Sequence, residues 1–140
     1  MTHSIRIFTF GWSPEFVIRP LVEEGLSKRD IVVLIASESE TDYVKRRVEE
    51  AYRQVEKFLQ MARVSNLHYR EIDTNKDILN ICRDIVKILK EFNSAKLLKF
   101  YLTGGMRVLV IATLIVAKLL SSVGRQVEIK LSREDRPISY

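Results

Sequence analysis

The sequence predicts an α/β fold, a three-layer sandwich with helices on both faces of a mostly parallel central sheet. Three observations lead there. Strand-like and helix-like segments alternate along the chain, which calls for right-handed crossovers and parallel pairing. Asp30 to Ser37, DIVVLIAS, is a continuous apolar run of strand length, as expected for a strand covered on both faces. The 140 residues are 46% hydrophobic and 29% charged, which suits one globular domain over residues 1–140 rather than a disordered chain.

The elements follow in order. Ser4 to Phe10, SIRIFTF, is rich in β-branched and aromatic residues and stops at Gly11, a first strand. Ser13 is placed to cap the next helix, with Pro14 at its first position and Phe16, Val17, Leu21 and Val22 facing inward. Pro20 predicts a kink or a short helix, and Gly25 a terminator. After the strand over Asp30 to Ser37, Thr41 to Ala62 repeats apolar residues at helical spacing, from Val44 and Val48 to Phe58 and Leu59. Asn66 to Ile72 alternates as a half-buried strand. Thr74 and Asp77 then stand at capping-box spacing before a helix with Ile78, Ile81, Cys82, Ile85, Ile88, Leu89 and Phe92 on one face.

The last third repeats the pattern. AKLLKFYL reads as a strand, TGG as a turn, and Met106 to Val123 as a helix closed by Gly124. Val127, Ile129 and Leu131 alternate with polar residues, as on a sheet-edge strand. REDRPISY adds a short strand or stays loose. The β-α-β-α-β-α-β-α-β order is Rossmann-like.

Composition narrows the function. The net charge of +5 favours anionic partners, although no basic block stands out. A lone Cys82 excludes an internal disulfide and a cysteine zinc site, and points to a reducing, cytoplasmic setting. On its apolar helix face it reads as inert core. His3 and His68 have no ligand partner at metal spacing, so no metal is expected. The N-terminus, MTHSIRIFTFG, is too strand-like for a secretory h-region. The longest apolar run, Val108 to Leu120, is too short to span a bilayer, so no membrane partner is expected. The phosphate-loop, dinucleotide and nucleophile-elbow motifs are all absent.

Ligands of open α/β sheets bind beyond the carboxyl ends of the strands. Two such ends are unusual here: TFGWSPE, Thr9 to Glu15, and LTGGMR, Leu102 to Arg107. Glycines there let a ligand approach the backbone, and the following helix N-terminus with Arg107 offers an anion site. Tight packing of the turn is the competing explanation. Trp12 reads as a half-buried lid residue, with base stacking the alternative. The helix after the second turn is apolar nearly all round, which asks for a second covering surface, most simply a two-fold homodimer. Dimerising along it brings two Gly-Gly turns together in a symmetric site suited to a multi-phosphate ligand.

These residues resemble a known family. TFGWSPEFVIRPL and YLTGGMRVLVIATLIV, in that order on this framework, are similar to the two ligand loops of CARF domains, the CRISPR-associated Rossmann-fold sensors. The resemblance is strongest to the sensor half of archaeal CRISPR regulators that join a CARF domain to a winged helix. It implies a homodimer binding cyclic tetra-adenylate across its two-fold axis, without a further cofactor. Thr9, Phe10, Gly11, Trp12 and Ser13 would form the first loop; Thr103, Gly104, Gly105, Met106 and Arg107 the second. The loop after the second strand, Ser37 to Ser39, is a further candidate for the adenine or ribose. DNA would be reached only through an additional domain, since the sequence stops at Tyr140 where the regulators continue. Some CARF proteins are ring nucleases, in which the ligand's own 2′-OH attacks the neighbouring phosphate. Ser13 and Arg107 would then assist, but neither loop offers a strong general base. Direct nucleic-acid binding lacks an aromatic-basic stripe or a recognition helix.

Overall fold

The computed structural model describes residues 4–39, 41–92 and 96–131. The segment REDRPISY and His3 lie outside them. Nine elements alternate as expected: β1 (Ser4–Phe10), α1 (Glu15–Glu24), β2 (Ile31–Ser37), α2 (Asp42–Met61), β3 (Leu67–Ile72), α3 (Ile78–Lys90), β4 (Leu97–Tyr101), α4 (Arg107–Ser122) and β5 (Gln126–Lys130). The sheet order is β3-β2-β1-β4-β5, and every pairing is parallel.

Side-chain alternation along the strands divides the core in two. Ile5 and Ile7 of β1, Val33 and Ile35 of β2, and Leu98 and Phe100 of β4 face α3 and α4, meeting Ile81, Ile85, Leu109, Ala112 and Val116. Phe8 and Phe10, Val32 and Leu34, and Tyr101 face α1 and α2, meeting Val17, Leu21, Ala51, Val55 and Leu59. The run at β2 is apolar throughout because both of its faces are covered. β5 is an edge strand, as expected, with only Val127 and Ile129 half-buried. Leu131 lies past its end and is exposed, so the alternation stops at Lys130.

A charged network lies within the α1–α2 side. Arg6, buried in β1, pairs with Asp30 at 2.9 Å and Glu24 at 3.6 Å. Asp30 also accepts from Ser4 N, Ser4 Oγ and Ser27 N. The Tyr101 hydroxyl donates to Glu24 at 2.9 Å, and its ring stacks on Phe8 with centroids 4.2 Å apart.

Several local expectations are corrected. Ser13 does not cap α1 through its side chain. Pro14 already has helical angles, and only the Ser13 carbonyl takes part, accepting from Phe16 N at 3.3 Å. Pro20 sits inside α1, which at 10 residues is the shortest of the four described helices, in line with the short helix expected there. Val22, one step round from Leu21, faces solvent. Thr74 and Asp77 form no capping box: Asp77 is itself the cap, accepting from Asn80 N at 2.9 Å, which leaves Ile78 partly exposed. Gly25 terminates α1 with φ +84°. Among the described residues, no helix is long and apolar enough to cross a membrane.

Candidate ligand-binding site

β1 has β2 on one side and β4 on the other, while the chain passes through β3 before reaching β4. The strand order therefore reverses at β1, and the loops after β1 and β4 diverge to opposite faces, opening a crevice. A cavity of about 560 Å³ occupies that place. Loops following β1, β2, β3 and β4 all contribute to its wall.

Phe10, Gly11, Trp12 and Ser13 come from the first loop, and Thr103, Gly104, Gly105 and Met106 from the fourth. Ser37 joins them at the end of β2. Two candidates stand elsewhere. Thr9 is buried in the strand, its hydroxyl donating to the Tyr101 carbonyl at 3.4 Å. Arg107 is exposed at the first position of α4 and does not line the cavity.

The glycines have a clear steric reason. A Cβ on Gly104 would lie 2.8 Å from the Thr9 carbonyl oxygen; one on Gly11 would lie 3.1 Å from Gly105 N. Gly105 has φ +84°, and a Cβ there would approach the Phe10 carbonyl oxygen to 3.2 Å. The two loops thus touch backbone to backbone, which side chains would prevent. Close packing, the competing explanation for the Gly-Gly turn, is real. It also shapes the cavity, because it presses both loops into one wall. Met106 precedes α4 in extended conformation with no side-chain cap, which leaves the helix N-terminus facing the cavity's edge.

Sequence reasoning missed several wall residues. Thr74 and Asn75 arrive from the loop after β3, with Thr74 Oγ1 donating to Met106 Sδ at 3.5 Å. Thr41, Val44 and Val48 come from the start of α2, whereas Glu38 and Ser39 lie in the loop already expected after β2. Applying the strand-end rule to β3 as well would have found Thr74 and Asn75. Val44 and Val48 look like ordinary core positions in sequence.

His68 and Cys82 stand away from the cavity. His68 packs against Phe92 in β3, and burial, aided by nearby Arg70, holds its pKa below the usual value. Burial raises the Cys82 thiol, whose Sγ contacts the Ala112 carbonyl at 3.6 Å, as suits a core cysteine. Among the described residues, no three His, Cys, Asp or Glu side chains gather as a metal would require.

An open parallel sheet with a cavity at its switch point defines a Rossmann-like binding domain. The Csa3 CRISPR-associated Rossmann-like domain family matches residues 4–139, and the chain belongs to it. That membership confirms the CARF-type resemblance and ties the chain to CRISPR-associated sensing and regulation. No curated protein matches the chain significantly. One solved structure, titled the crystal structure of hypothetical protein PH0823, aligns over 97% of this chain and 100% of its own, with 18% identity and a TM-score of 0.48.

Proposed function

We propose that this chain is the sensor domain of a CRISPR-associated transcriptional regulator and binds cyclic tetra-adenylate as a two-fold homodimer. The observation that carries the reading is the cavity at the switch point, walled by both glycine-bearing loops in a member of this family. Its volume suits a single small-molecule site, so a four-nucleotide ring would extend across the two-fold axis into the partner's cavity.

α4 supports the dimer. Leu109, Ala112, Val116 and Ala117 are buried against the rest of the protomer, while Ile111, Leu114, Ile115 and Leu119 are exposed on its other side. Such a stripe is unusual on a free surface. Covering it with a second copy would bring both α4 N-termini, and the exposed Arg107 of each, toward the axis. Ligand phosphates would then meet helix N-termini and guanidinium groups together. DNA contact would come through an additional domain, in response to ligand.

Isothermal titration with cyclic tetra-adenylate tests this, followed by a denaturing gel of labelled ligand after long incubation at high temperature. Heat at micromolar protein with intact ligand is expected. Absence of heat refutes the reading. Conversion to linear di-adenylate, lost in Arg107→Ala, would instead make the domain a ring nuclease.

A further inference from the structure

At the mouth of the cavity, Trp12 of the first glycine loop meets two side chains of α2. Trp12, the chain's single tryptophan, is 45% exposed. The Arg47 guanidinium lies over its ring, 5.1 Å from the centroid, and 5.8 Å from that of Tyr43. Tyr43 meets Trp12 edge-on with centroids 6.4 Å apart, and its hydroxyl accepts from Arg47 Nη1 at 2.9 Å. Tyr43 and Arg47 are one turn apart on α2, each one position before the cavity-lining Val44 and Val48.

The open aromatic surface and the guanidinium form a complementary pair. The first suits a planar base, the second a phosphate or a stacked ring.

We propose that Trp12, Tyr43 and Arg47 form a stacking platform for a purine base of an anionic nucleotide. The proposal deepens the ligand reading above and rests on it. If Arg47 served only to pin the loop to α2, the indole would have no need to stay open. The contact instead holds Trp12 in place, while one N–H goes to Tyr43 and the other donors remain for phosphate.

Because Trp12 is the chain's only tryptophan, its emission reports this place alone. The test follows that emission while the protein is titrated with AMP, ribose 5-phosphate and cyclic tetra-adenylate, with calorimetry of the cyclic ligand run on wild type, Trp12→Ala and Arg47→Ala. Expected are quenching by AMP and by the cyclic ligand but not by ribose 5-phosphate, and cyclic-ligand affinity lowered about five- to 150-fold in Trp12→Ala. A smaller loss is expected in Arg47→Ala. Normal calorimetric binding with unmoved emission and an unaffected Trp12→Ala overturns the platform and leaves the sensor reading standing. Quenching by AMP without heat from the cyclic ligand overturns the sensor reading and supports a nucleotide platform. No response to any probe overturns both.

Discussion

Gly104→Ala tests the contact that builds the candidate site. The added Cβ would stand 2.8 Å from the Thr9 carbonyl oxygen, where ordinary contact begins near 3.4 Å, a shortfall of 0.6 Å. Neither neighbour yields easily. Thr9 lies in the central strand, opposite Ile35 of β2, and the Phe16 ring closes in at 3.5 Å. The turn after β4 must therefore move away from the loop after β1. Overpacking of this kind costs about 1–3 kcal/mol. With about 2.1 cal/mol/K of unfolding entropy per residue, 140 residues give about 0.3 kcal/mol/K. The midpoint should fall by about 3–10 °C in scanning calorimetry. Cyclic tetra-adenylate affinity should fall with it, since the displaced loop is cavity wall. In contrast, Gly25→Ala, at the far end of α1 with no atom within 4 Å of its Cβ, should leave ligand affinity alone. A Gly104→Ala midpoint within a degree of wild type would refute the claim that the two loops are locked together. A lowered midpoint with unchanged affinity would separate the lock from the site.

Two further outcomes follow from the core and from α4. Burial pushes the Asp30 carboxyl up, but N–H donation from Ser27 and Ser4 and the Arg6 guanidinium together outweigh it and hold its pKa below the ordinary carboxylate value. Its stabilising contribution is therefore complete above the unfolded value of about 4 and is lost as pH falls through the depressed folded value. Asp30→Asn should cost about 3 kcal/mol at pH 7, the low end for a broken buried pair, because Glu24 still faces Arg6. In midpoints measured from pH 7 to pH 2, the gap from wild type should narrow below about pH 4; a constant gap would contradict the assignment. Ile115→Glu puts a charge on the exposed apolar side of α4 and should convert a dimer to a folded monomer in light scattering at micromolar protein. A variant that stays dimeric would move the interface elsewhere.

Much of the architecture was legible because local signals agreed with the fold. β2 is apolar along its length because α1 and α2 cover one face and α3 and α4 the other. α2 shows its amphipathic period, with Thr41 capping through Val44 N at 3.3 Å. Boundaries failed where competing partners were close in sequence. Ser13, Pro14 and Glu15 can each open α1, and Thr74 and Asp77 can each open α3. The sequence alone could not say that Thr74 would turn instead to Met106, which is 32 residues away.

The sequence by itself determined the alternation of elements, the cover on both faces of the apolar strand β2 and the two glycine loops as places of close approach. Periodicity and backbone freedom are local properties, readable residue by residue. Only the tertiary structure decided what those glycines touch, that Arg107 stands off the cavity, and that Tyr43 and Arg47 of α2 meet Trp12. Each depends on the strand order at β1, which joins segments far apart in sequence and leaves no mark in any one of them.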